Sequence, residues 1–305
     1  MKYAHILMAV TEERWALQES KLQAIIDFLA AQSSGQKLSA EEVAARIPVK
    51  VEREAARQVG RVALLPLRGV IANRMNMMTE ISGGTSSEGF GIAFQAALRA
   101  DDIKAIVIDV DSPGGMVSGT AELSQMIHAA RGVKPIVAHV NATAASAAYW
   151  IASAATEMVV TPSGGVGDIG VLGMHDDVSG ALEKAGVKKT IVKAGKFKAA
   201  VNPFTPLDDE TRARMQARVD AAYGTFVADV ARNRGVALAR VREGFGQGEM
   251  VDATQAVAEG MADRVGTLEE TLQRFGASLY GEVIAQPPAG RRSALQRDKR
   301  ALALS

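Results

Sequence analysis

The chain has 305 residues, with 35 basic and 34 acidic side chains for a formal net charge of +1, and 48% of its residues are hydrophobic. That near-neutral balance gives no electrostatic basis for nucleic acid or a charged membrane as the main partner, and 5% aromatic content argues against base stacking. The absence of cysteine removes disulfides, thiolate nucleophiles and thiolate metal sites, and no run approaches the roughly 18 apolar residues of a membrane span.

In chain order, MKYAHILMAVTEERW lacks the long apolar core and small-residue cleavage site of a signal peptide, so a cytoplasmic protein is expected. ERWALQESKLQAIIDFLAAQ carries apolar residues at helical spacing, and SAEEVAAR follows Ser39 as a second short helix. Residues 1–57 therefore read as an N-terminal helical arm. From Val59 the texture changes. VGRVALLPLRGVIA reads as a strand, NRMNMMTEISGGTSSEG as a Met-rich loop and GIAFQAALRA as a helix. Then come a buried strand IKAIVIDV, a helix VSGTAELSQMIHAAR, a strand KPIVAHV, a short helix SAAYWIASAA and two strands, EMVVT and KKTIVKA. A long helix starts near Pro206 with acidic residues in its first turn and runs toward Gly235. DATQAVAEG and LEETLQRFG give two shorter helices around a DRVGT strand. Strands separated by helices predict βαβ units, and so an α/β fold with a parallel sheet core over residues 58–280. The basic, proline-containing stretch 281–305 reads as a disordered tail.

Three segments carry chemistry. Asp111-Ser112-Pro113-Gly114-Gly115 sits where a strand ends and a helix begins. Two glycines there let backbone N–H groups face outward as an oxyanion cradle, although the same tetrapeptide also suits an ordinary tight turn. Ser146 lies among Ala144, Ala145, Ala147 and Ala148 at the start of a helix, where the backbone can turn sharply and a substrate can approach the hydroxyl. Its own N–H or that of Ala147 is a further candidate oxyanion donor, and a plain N-cap serine is the bland alternative. Lys198 is bracketed by Phe197, Ala199, Ala200 and Val201. A lysine acts as a base when such neighbours exclude water from its amine; otherwise Lys193, Lys196 and Lys198 simply decorate a solvated loop.

In this order the segments resemble the signal peptide peptidase A family of serine–lysine peptidases. The resemblance also covers TPSGGVGDIGV between serine and lysine and LDDETRARMQARVDAAYGTFVADVARNRG beyond it, and extends over roughly residues 59–275. It implies a crotonase/Clp-protease-like fold of stacked ββα units, Ser146 as nucleophile, Lys198 as general base, and Gly114 and Gly115 as the oxyanion turn, with neither metal nor organic cofactor. It further implies a homo-oligomeric ring with active sites built across subunits. The similarity is greatest to phage and prophage head-maturation proteases of the minor capsid protein C type. That implies capsid or scaffold protein as substrate, in the host cytoplasm or a procapsid, with degradation of signal-peptide-like peptides as another use.

There are two departures from the family pattern. Ala147-Ala148 stand where relatives have Gly-Gly, and Asp168 in VGDIGV stands where relatives commonly have serine. An aspartate beside Lys198 stabilises the ammonium form and opposes base catalysis, which makes Asp168 a candidate modulator. Three rival readings follow: a Clp-type Ser-His-Asp peptidase using His175 with Asp176 or Asp177; a crotonase-type enzyme acting on acyl thioesters; and a catalytically weak, capsid-associated scaffold protein.

Overall fold

The computed structural model describes residues 13–33, 55–74 and 84–280; side chains are described only to Asp27 in the first stretch. The second arm helix, the centre of the Met-rich loop and the basic tail lie outside these residues.

The chain begins with strand β1 (Trp15–Leu17) and helix α1 (Glu19–Ser33). The helical spacing of the arm therefore holds from Glu19 onward, whereas Trp15–Leu17 is extended. The reason is tertiary: all three β1 residues are buried, and they pair antiparallel with a strand about 100 positions away in sequence (Trp15 opposite Met116, Leu17 opposite Gly114). Strands β2 (Arg57–Val59), β3 (Val62–Arg68), β4 (Ile71–Ala72) and β5 (Thr85–Ser86) lead into helix α2 (Ser87–Arg99). Ser86 caps α2 by accepting from the Gly89 N–H at 3.1 Å. Next come β6 (Ala105–Ser112), β7 (Gly114–Met116), α3 (Thr120–Ala129), β8 (Ile136–Ala145), α4 (Ala147–Ala152), β9 (Glu157–Val160) and β10 (Gly165–Gly167). The C-terminal half holds α5 (Ser179–Lys184), α6 (Asp209–Arg234), α7 (Leu238–Glu243), β11 (Met250–Asp252), α8 (Ala253–Glu259), β12 (Arg264–Val265) and α9 (Leu268–Gln273).

Among the described residues the main sheet runs β11-β10-β8-β6-β3-β2, and β9 and β12 extend it from β8. The pairs β3–β6, β6–β8, β8–β9 and β8–β10 are parallel, so the expected α/β fold with a parallel core is what forms. Alternation explains the burial of both faces. Ile106, Ile108 and Val110 of β6 join the large core with Phe94, Ile127 and Trp150, while Ala105 and Val107 face a smaller cluster with Val62, Val137 and Leu272. Strand β8 forks: Val137–Val140 pair with β9 and Thr143–Ala145 with β10. A second, four-stranded sheet, β1-β7-β4-β5, stands beside the first.

KKTIVKA, expected as a strand, is exposed and irregular, with Val192 95% exposed. Its alternating apolar residues find no sheet edge among the described residues. Helix α6, with 26 residues, matches expectation: Asp208 caps it by accepting from the Thr211 N–H, and Gly235 ends it in the left-handed region at φ 65°. Gly224 in its middle has no atom within 4 Å of where a Cβ would stand. Gly224→Ala should therefore raise the unfolding free energy by about 0.5–1 kcal/mol, read as a higher urea midpoint at unchanged slope.

Candidate active site

Strand β8 delivers Ser146 to a sharp corner. The residue leaves the strand at φ 55°, ψ −118° and serves as N-cap of α4, so an L-residue with a side chain sits where glycine is usual. The corner is held on both sides. The Ser146 N–H donates to the Gly167 carbonyl at 2.8 Å, its carbonyl accepts from the Trp150 N–H at 2.9 Å, and its Oγ lies 3.4 Å from the Gly170 carbonyl oxygen. Strain at one residue, fixed by its neighbours, is the pattern of a strand-to-helix nucleophile turn.

The helix behind that corner is clamped. Trp150 stacks on Phe226 of α6, with ring centroids 4.4 Å apart, and its indole N–H donates to Asp229 at 2.9 Å. Arg131 donates to the carbonyls of Ser153, Ala154 and Ala155 at the end of α4 and to that of Asn233 in α6, at 2.7–3.0 Å. These are charge-assisted bonds to carbonyls at the end of α6 and in the turn that follows α4.

The glycine turn meets the serine. Gly114 adopts φ 101°, and a Cβ built on it would stand 3.0 Å from the Ser146 Cβ and overlap the Ala16 carbonyl oxygen. Only glycine allows this approach. The Gly114 N–H donates to Ser112 Oγ at 3.1 Å, and that hydroxyl donates to the Gly69 carbonyl at 2.6 Å. Gly114 thus serves close packing, and its N–H is engaged by Ser112. Gly115 follows in β7, opposite Ile71 of β4. Ala147 is the first residue of α4, a position whose N–H has no partner inside its helix.

Asp168 follows the Gly167 carbonyl that anchors Ser146. It stands at φ 53° and donates its N–H to the Glu249 carbonyl at 2.9 Å; its Oδ2 is buried with no hydrogen-bond partner among the described residues. Burial pushes its carboxyl from 3.8 up to about 6. An acid with a raised folded value holds its proton more tightly when folded. The stability this gives is complete below pH 4 and is lost as pH climbs through about 6. Asp168→Asn does not ionise, so it should gain about 1–2 kcal/mol on the wild type near pH 7 and nothing near pH 3. Urea melts at the two pH values check this.

Lys198 lies in the loop that precedes α6. It is exposed in a turn where its N–H donates to the Gly195 carbonyl at 3.2 Å, and among the described residues no hydrogen bond or ion pair joins its amine to Ser146 or Asp168. Among the described residues nothing closes a water-excluding bracket over it. Phe197 instead lies between Lys196, 4.7 Å from the ring centroid, and Arg214, 3.7 Å from it, while Lys196 pairs with Glu210 at 2.6 Å. These contacts pin the loop to the first turns of α6. The rival base, His175, has Nε2 2.9 Å from the Asn202 carbonyl oxygen, and Asp177 accepts from the Ser179 N–H. Both brace surface segments. Gly167, Gly170 and Ser112 complete the serine corner through backbone and hydroxyl groups that carry no signal in sequence beyond a glycine or a serine.

A strained serine at a strand-to-helix turn, packed against Gly114 of β7, accords with what sequence comparison finds: residues 128–279 match peptidase family S49, so the chain carries a domain of that family. Relatives include the head-tail preconnector protein GP5 of Enterobacteria phage P21, 32% identical over 227 residues that cover 74% of this chain and 45% of the relative. The capsid assembly protease C of Escherichia phage lambda is 30% identical over 246 residues, 79% of this chain and 56% of the relative. The putative signal peptide peptidase SppA of Enterococcus faecium is 32% identical over 213 residues, covering 70% and 62%. The chain thus spans about half the length of the two phage relatives. Among solved structures, a mutant of the 1510-N membrane-bound stomatin-specific protease aligns with TM-score 0.45 and 15% identity over 72% of this chain and 86% of that one.

Proposed function

We propose that the chain is a serine endopeptidase in which Ser146 is the nucleophile and Lys198 of an adjacent copy is the general base. The observation that carries this reading is the Ser146 corner itself, strained at φ 55° and packed against Gly114. The exposure of the lysine loop supports delivery from a neighbour. That loop presents Val187, Ile191, Val192 and Val201 to solvent, an apolar surface suited to contact with a second copy.

In this mechanism Ser146 Oγ attacks the carbonyl carbon of a peptide bond, and the Lys198 amine takes the hydroxyl proton. The oxyanion that forms accepts from the N–H groups of Gly115 and Ala147. Collapse breaks the C–N bond, and the Lys198 ammonium returns the proton to the departing amine. Water, deprotonated by the same lysine, then hydrolyses the Ser146 ester. Asp168, which follows the Ser146 anchor and whose Oδ2 has no hydrogen-bond partner among the described residues, is the acceptor available to the incoming ammonium. The name of the phage lambda relative, a capsid assembly protease, favours a capsid protein as substrate.

Fluorophosphonate labelling followed by peptide mass spectrometry tests the reading. The expected adduct is on Ser146; Ser146→Ala should lose it, Lys198→Ala should slow it by about 10³-fold, and His175→Ala should leave it at the wild-type rate. An adduct that survives Ser146→Ala, or that depends on His175, overturns the assignment.

A further inference from the structure

Ser146 is 1% exposed, a poor state for a residue that must meet a peptide carbonyl at about 3–3.5 Å. The segment that shares its enclosure is the chain's own β1. Its backbone lies antiparallel along β7, with Ala16 opposite Gly115 and Leu17 opposite Gly114. The Gln18 N–H donates to the Pro113 carbonyl at 3.2 Å, and the Val117 N–H donates to the Arg14 carbonyl at 3.1 Å. On its other side β1 bridges Leu172: the Trp15 N–H donates to the Leu172 carbonyl at 3.0 Å, and the Leu172 N–H donates back at 2.9 Å. An extended peptide is therefore held between two backbone edges, one of which carries the glycine turn. The Gly114 position that abuts Ser146 also abuts the Ala16 carbonyl oxygen.

Side chains fit the same description. Trp15 and Leu17 alternate to one face and are 1% and 2% exposed, clustered with Val70, Leu22 and Ile26, while Met116, Leu172 and Met174 pack around them. Ala16, between them, is fully buried. The cleft thus accepts a strand patterned large apolar, small, large apolar.

We infer that residues 14–18 are a reversible internal occupant of the substrate cleft, and that peptides with large apolar residues two positions apart compete with them for it. A three-residue ladder is short enough to be exchanged for another strand through the same main-chain bonds. The consequence for catalysis rests on the proposed role of Ser146; the occupancy does not.

The chain's two tryptophans, Trp15 and Trp150, are both buried, and Trp150 is locked in the core. The full chain is titrated with a tryptophan-free peptide, acetyl-Arg-Phe-Ala-Leu-Gln-amide, while emission and iodide quenching are followed. Saturable red shift and new quenching, absent with acetyl-Arg-Glu-Ala-Glu-Gln-amide, are expected. No shift at millimolar peptide overturns the inference. Full-chain Trp15→Ser, checked for cooperative melting, should accept fluorophosphonate at Ser146 about tenfold faster than wild type. A folded variant that labels at the wild-type rate or slower overturns it too. If that variant fails to melt cooperatively, the titration decides. Displacement of Trp15 without labelling of Ser146 in any chain would uphold the occupancy and remove the nucleophile. Labelling without displacement would do the reverse.

Discussion

Mixing chains that carry Ser146→Ala with chains that carry Lys198→Ala should restore peptide hydrolysis that neither preparation shows alone. Each single substitution removes one member of a unit and should lower the rate by at least about 10³-fold. If the lysine is supplied by a neighbour, an intact Ser146 from one variant meets an intact Lys198 from the other. Random pairing in equal proportion then gives roughly one quarter of wild-type activity. The geometry behind this is the pinning of the lysine loop. Lys196 and Phe197 are tied to Glu210 and Arg214 near the start of α6, whereas the serine helix packs on Phe226. Arg214 and Phe226 are twelve residues apart, about 18 Å along a helix axis. Recovery after mixing, assayed on a quenched fluorogenic peptide, supports the shared site. Activity that stays at the single-variant level would place the base within the same chain as its serine, or assign it to another residue.

The second large effect belongs to Gly115→Ala. A Cβ on Gly115 would overlap the Ile71 carbonyl oxygen and stand 2.6 Å from Ile71 N, and all of these are backbone atoms that no rotamer change moves. Ordinary overpacking of a core costs about 1–3 kcal/mol, and a backbone collision that separates β4 from β7 should exceed it. A loss of at least about 3 kcal/mol lowers the melting temperature of a chain this size by roughly 6–12 °C. Circular dichroism melts would show it. A midpoint within about 2 °C of wild type would mean that β4 and β7 do not pair as described. Gly114→Ala adds a different penalty, because its φ of 101° is itself strained for alanine and the new methyl would press on Ser146.

The parallel core was legible because IKAIVIDV and KPIVAHV are apolar runs too short for helices, each followed by a helical pattern. The Ser146 turn was legible from its surrounding alanines, which the structure buries completely. Two segments read differently, for opposite reasons. Trp15–Leu17 sits inside a helical spacing, yet pairing with β7 and burial of Trp15 outweigh local preference, a long-range gain invisible in a short window. KKTIVKA has the composition of a strand, yet no edge among the described residues receives it. The burial of the Asp168 oxygen, without a hydrogen-bond partner among the described residues, and the Ser112 bond to Gly114 depend on contacts that only folding creates.

Arg131 grips four carbonyls from two elements and thereby fixes the seat of Ser146 during folding of a single chain. If a neighbouring copy supplies Lys198, the exposed apolar side chains of the lysine loop are covered only when copies meet. Turnover per chain should then follow mass action, falling on dilution while the fold itself stays intact.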